Sequence, residues 1–282
     1  EAGLATGDRA LAIRHFQRLR ERLRIDLGLG PSKATVLLYE AAITRAAPEP
    51  PSIAEHVHGL LATGAVSLHS GDFEAARRSA EEARQLALAA DLAREVGEAS
   101  ALLGLVAHMQ GQWRDLFRSE FVEWVRRGGE AAGNVFDGHL CLAEFCLCGA
   151  EGHHGMALLA GELLTVAEAV ESPHGRALAT LILGKAALFS GRLDEAETLL
   201  TRADALHAAA GASAGRALSL HRLAEVGLAR KQKWRASRLL QKGLAIAEGS
   251  WLAPHLLIRY VALAVEVASD PAHRAEAIAQ GD

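Results

Sequence analysis

Small, apolar and polar positions recur along this chain in blocks of about forty residues. One block centres on Ser70-Gly71-Asp72-Phe73-Glu74-Ala75-Ala76, and forty residues on stands Gln110-Gly111-Gln112-Trp113. Eighty more residues bring Ser190-Gly191-Arg192-Leu193-Asp194-Glu195-Ala196. The copy between them falls at Glu151-Gly152-His153, and the last at Lys231-Gln232-Lys233-Trp234-Arg235-Ala236. Seven residues before these turns lie Gly64, Gly104, Gly184 and Ala224; five residues after them lie Ala76, Leu116, Met156, Ala196 and Ala236. Self-similarity at a fixed period marks a repeat architecture.

Each block reads as helix A, a short turn and helix B. Small residues at the Gly64 and Ala76 positions let the two backbones approach, and the apolar residue two beyond the turn glycine fills the wedge between them. The pattern predicts helix pairs at 52–69/73–90, 94–109/113–130, 135–149/154–170, 174–189/193–209 and 214–229/233–248. A last helix at 253–268 starts a further pair, and Asp270-Pro271 supplies a stop. No strand signal is visible. Three prolines in the four residues Pro48-Glu49-Pro50-Pro51 cannot continue a helix and read as a stiff linker.

These offsets resemble the tetratricopeptide pattern, whose usual period is about 34 residues. The longer period is similar to the C-terminal sensor regions of large bacterial activators such as the maltose-operon activator. The resemblance implies an all-α fold: a right-handed tetratricopeptide-like superhelix of about six helical hairpins. One hairpin cannot bury its apolar face alone, so neighbours must stack.

Ahead of the linker stands Gly7-Asp8-Arg9-Ala10-Leu11-Ala12-Ile13-Arg14-His15-Phe16-Gln17-Arg18-Leu19. Leu27-Gly28-Leu29-Gly30-Pro31-Ser32 and Leu38-Tyr39-Glu40-Ala41-Ala42-Ile43 follow. Physically this is a helix ended by Gly28 and Gly30, then a second helix begun by Pro31-Ser32. The same string resembles the end of the bacterial transcriptional activator domain of antibiotic-regulatory (SARP-type) regulators. The family run is a Gly-Asp/Asn-Arg turn, an arginine-rich helix with an aromatic, Leu-Gly-x-x-Pro-Ser and a Leu-Tyr/His-x-x-Ile helix. The expected organisation is therefore 1–47 as the end of that domain, 48–52 as linker and 53–282 as solenoid. The resemblance implies a winged-helix DNA-binding domain upstream of Glu1. Arg14, Arg18 and Arg22 share one helix face, which suits a phosphate or a docking domain; a solvated face explains the same spacing.

Composition narrows the chemistry. A formal charge of −4 argues against nucleic-acid binding by the chain as a whole. The longest apolar candidate, residues 156–170, carries Glu162 and Glu168 and is too short to span a bilayer. No membrane contact is expected, and a cytoplasmic location is the default. There is no nucleophile elbow, His-Glu-x-x-His or phosphate loop, so no catalytic residue and no cofactor is assigned. His139, Cys141, Cys146, Cys148, His153 and His154 cluster, but their spacing is wrong for a zinc knuckle. Buried cysteines filling a helical interface explain them better, and no metal site is assigned.

In tetratricopeptide superhelices the concave face comes from helix A. Carrying that register over places His58, Leu61 and His69 in a groove, with Glu98, Leu105, His108 and Met109 beyond them. Cys141, Phe145 and Cys148 come next, then Leu181, Lys185 and Phe189, and lastly His221 and Glu225. A largely apolar face with a few polar groups suits a small molecule or a peptide; packed core is the competing explanation. The expectation is a non-enzymatic region of a bacterial transcriptional regulator, sensing a ligand or a protein. The alternative is a stand-alone tetratricopeptide scaffold for protein assembly. A truncated last pair would also leave an apolar end suited to pairing with a second copy.

Overall fold

The computed structural model describes residues 9–44, 52–149 and 152–268. The Gly7-Asp8 turn, the proline-rich stretch, Glu151 and Asp270-Pro271 lie outside the described residues. Contacts divide the chain into two units, residues 1–51 and 52–282.

The first unit contains α1 (Arg9–Leu27) and α2 (Lys33–Thr44). Gly28, at φ +61, ends α1, and the Ser32 hydroxyl accepts the Thr35 N–H at 3.2 Å, opening α2. Phe16 and Tyr39 stack with ring centroids 4.0 Å apart and tie the two helices together. Arg14, Arg18 and Arg22 are exposed on α1.

The second unit is helical throughout its described residues. It runs α3 (Ile53–His69), α4 (Phe73–Ala89), α5 (Ala93–Met109), α6 (Trp113–Arg127), α7 (Gly129–Gly149) and α8 (Gly152–Ala169). Then come α9 (Pro173–Phe189), α10 (Leu193–Ala209), α11 (Ser213–Ala229), α12 (Lys233–Ala247) and α13 (Ala253–Val267). A capping box starts α3: Ser52 and Glu55 satisfy each other's backbone N–H groups at 2.7 and 3.2 Å.

Two layers follow from the packing. The odd-numbered helices α3, α5, α7, α9, α11 and α13 each touch the next odd one, while even-numbered helices pack between them. The even helices α4, α10 and α12 bury one stripe of residues, whereas α9 and α11 are buried almost all round. Sequence explains the difference: α4 carries charges on its open face, while α9 and α11 are mostly Ala, Leu and Gly. Close approach is visible at Gly184, where an added Cβ would fall 2.8 Å from the Leu200 side chain.

The connections repeat at half the expected period. Residues 71, 91, 111, 171, 191, 211 and 231 all have positive φ. In each, the turn residue and its successor donate back into the preceding helix: Gly71 N–H to the Leu68 carbonyl and Asp72 N–H to the Ser67 carbonyl, for instance. That is the Schellman arrangement, which satisfies carbonyls a helix end leaves open. One rhythm of twenty residues thus serves both the A-to-B and the B-to-A turns.

Two described junctions depart from it: α12–α13, where residue 251 lacks the positive φ, and α6–α7, where Gly128 and Gly129 (φ +66 and +77) leave no room for the three-residue turn. α7 starts at Gly129, six residues before the position expected from the repeat. α6 is also rotated. Leu116, the expected core marker, is half-buried, and Trp113, Phe117, Phe121 and Trp124 fill the core instead. Aromatic bulk dictates the rotation: Trp113 stacks on Phe117 at 4.8 Å, and Phe121 meets Phe136 of α7 at 5.2 Å.

Candidate functional site

The face expected to form a groove lies on the odd-numbered helices, and it divides into an open part and a closed part. On α3 and α5 it is open. Leu105 is 41% exposed and Met109 60% exposed. His58 Nε2 lies 3.3 Å from the Glu95 carboxylate, and His69 donates from Nδ1 to the Ala65 carbonyl at 2.7 Å. Glu98 accepts from Arg94 Nε at 2.8 Å, Leu61 packs against the core, and His108 is half-buried. This stretch offers apolar surface punctuated by imidazole and carboxylate groups.

On α9 and α11 the face closes. Leu181, Lys185 and His221 are buried because α9 lies between α7 and α11, with α8 and α10 packed against it. Lys185 is 3% exposed, so its ammonium is a fixed part of the layer. At the edge of this region Phe189 remains partly exposed and is surrounded by polar groups. His153 of α8 packs on its ring at 5.5 Å between centroids. Lys185 Nζ and Arg222 Cζ lie 5.6 and 5.3 Å from the ring centroid, within cation–π range. Arg222 also donates to both oxygens of Glu225, at 2.8 and 2.7 Å. His221 donates from Nε2 to the Arg259 carbonyl at 3.2 Å and meets the Tyr260 ring edge-on at 5.3 Å. Tyr260 donates to the Ala217 carbonyl at 2.5 Å, and burial, helped by the Asp204 charge, pushes its phenol up. The structure thus brings Lys185, Phe189, His221 and Glu225 into one neighbourhood and leaves His58, His69, Leu105 and Met109 in another. The side chains of Cys141, Phe145, Cys146 and Cys148 lie outside the described residues.

Two polar clusters escaped the sequence reading. In the first, Glu120 of α6 accepts from His139 of α7 at 2.6 Å and pairs with Arg84 of α4. Burial by itself raises the Glu120 carboxyl, but the His139 hydrogen bond and charge, with Arg84 beside them, hold it below its ordinary range. In the second, Asp137 of α7 lies with His174 of α9 and His207 of α10 close to the start of α11. The members of each cluster come from different helices, and no local spacing announces their meeting.

Among the described residues no group of three His, Cys, Asp or Glu side chains could hold a metal ion. Among them, too, no helix is long and apolar enough to cross a membrane. No protein-family model matches the chain, and no curated protein matches it significantly.

Proposed function

We propose that the second unit is the sensing and interaction region of a bacterial transcriptional regulator, and that DNA is contacted by a separate winged-helix domain of the same protein. The observation that carries this reading is the first unit. An arginine-rich α1, a Gly28 break, a Ser32-opened α2 and the Phe16–Tyr39 stack follow the order of the activator-domain motif. A stack of helix pairs behind such a module is suited to receive a signal. On this reading the stack is a tetratricopeptide-like superhelix with α3, α5, α7, α9, α11 and α13 on its inner side. Binding across those helices favours one curvature of the stack, and the ligand shifts the equilibrium by its difference in affinity for the two states.

The open stretch around Leu105 and Met109 supports a second reading, a scaffold that docks apolar protein segments without any DNA-binding partner domain. DNA affinity of the full-length protein, with and without residues 52–282, separates the two. A change in affinity or in its response to a cell extract supports the regulator. Identical operator binding by both forms sinks it.

A further inference from the structure

Four helices meet around a buried polar cluster that takes no part in the groove. Asp137 of α7 is 7% exposed and accepts the Gly215 N–H in the first turn of α11, a helix whose own N-cap residue provides no side-chain hydrogen bond. His207, in the last turn of α10, is 3% exposed and presses on the same glycine: a Cβ on Gly215 would fall 2.2 to 2.7 Å from three of its ring atoms. His174, at the start of α9, packs its ring against Gly133, one turn before Asp137 on α7. Nδ1 of His174 and both ring nitrogens of His207 have no hydrogen-bond partner.

The charged groups on the surrounding helices are mostly engaged elsewhere. On α11, Arg216 pairs with Asp204 of α10, which also meets Lys242 of α12, and Arg222 pairs with Glu225. On α6, Glu120 holds His139 of α7. On α5, Glu95 meets His58 and Glu98 meets Arg94, and Glu162 of α8 meets Arg118. On α9, Lys185 sits at the far end beside Phe189, and Arg176, two residues beyond His174, keeps its Nε buried without a partner.

A site like this holds its three members most cheaply when all are neutral, with the proton on the carboxyl and none added to the imidazoles. Raising the pH strips Asp137 and leaves an anion supported by the Gly215 backbone N–H; lowering it forces a cation onto a ring with no acceptor. We propose that Asp137, His174 and His207 form a proton-balanced joint between α7, α9, α10 and α11, in which the carboxyl and the imidazoles answer pH with opposite signs. Burial pushes Asp137 up to about 7, with the Gly215 N–H opposing, and pushes His207 down to about 3, with the charge of His174 adding to it. Burial also lowers His174. The stability that Asp137 contributes is complete below its ordinary value of 3.8 and is lost as pH rises towards 7. That of His207 is complete above 6.5 and is lost as pH falls towards 3. Between about pH 4 and 6.5 the slopes of Asp137 and His207 oppose one another, and His174 adds to that of His207.

The test is the urea midpoint of the full chain across that pH range, for the parent protein and two variants. Asp137→Asn keeps the shape and removes the carboxyl proton; His207→Phe keeps the ring and removes the imidazole. The readout is the change in each variant's pH slope relative to the parent. Asp137→Asn should lose stability on acidification, and His207→Phe should gain it. Variants that both follow the parent profile overturn the proposal. Should His207→Phe fail to fold, the Cε1 resonance of His207 in the parent decides. It should stay at its neutral position at about pH 5, where free histidine is mostly protonated; a His207 that titrates with free histidine overturns the joint.

Discussion

Lys231, Glu171 and Asp91 occupy turns whose sister positions hold Gly71, Gly111, Gly191 and Gly211, and all seven share a positive φ. A side chain in that conformation costs roughly 1–2 kcal/mol, of which glycine returns part as unfolded-state entropy. Lys231→Gly should therefore raise stability by about 0.5–1 kcal/mol, measured by urea unfolding; a loss would mean the Lys231 side chain makes contacts that outweigh its backbone. Glu120 is the opposite kind of residue, a buried charge held by two partners. Its carboxyl sits below the ordinary 4.5, so its stabilisation is present above that value and disappears as pH falls through the folded one. Glu120→Gln keeps the volume and drops the charge. It should cost about 1–3 kcal/mol at neutral pH and flatten the acid limb of the stability curve, read from urea midpoints against pH. An unaltered acid limb would show that Glu120 is not what fails in acid. Neither Glu120 with His139 nor Asp137 with His207 was legible in the sequence, because each pair is made by packing between helices. By contrast Gly64 and Gly184 could be read from spacing alone as positions crowded by the partner helix of their own pair, whereas Gly104 is crowded by Leu142 of α7 instead.

At the level of helices the sequence was most transparent where apolar periodicity, turn residues and small-residue markers agreed. α4, α5, α9, α10 and α11 begin and end within a residue or so of the positions the repeat predicts. It was opaque at α6 and α7. There, the weight of Trp113, Phe117, Phe121 and Trp124 overrides the marker register, and two adjacent glycines replace a turn. The twenty-residue turn rhythm was also hidden, since Asp91, Glu171 and Lys231 carry no glycine signal. Tight pairing of α9 with α10 rests on the bare Cα of Gly184 against Leu200. Gly184→Ala should cost about 1–3 kcal/mol by forcing the helices apart, whereas Ala substitution at Gly161, with nothing within 4 Å of its Cβ position, should not destabilise. Equal stability of the two variants would show that this contact relaxes freely.

Over the whole second unit, stability should be graded along the stack. Helices with neighbours on every side resist opening, and those at the ends do not. Amides in α9 and α11 should exchange with solvent more slowly than those in α13 by native-state hydrogen exchange; uniform rates would mean the unit opens all at once. The candidate groove was legible only as a face of odd-numbered helices. Which parts are open depends on how many layers cover each helix, and α9 is covered by more of them than α3. The contact between α7 and α11, two pairs apart, has a further consequence for how such a chain can change its length. Excising one forty-residue block, residues 192–231, would rejoin Gly191 to Gln232 without disturbing the phase of any turn. The block that moved up would then bring His255, forty residues beyond Gly215, to the place opposite Asp137. An imidazole side chain would stand where this protein keeps a bare glycine, and Ala247 would stand where it keeps His207. The copies are interchangeable in their turns and not in their contents, so a block taken from the middle would carry off the glycine that Asp137 meets and the imidazole against it.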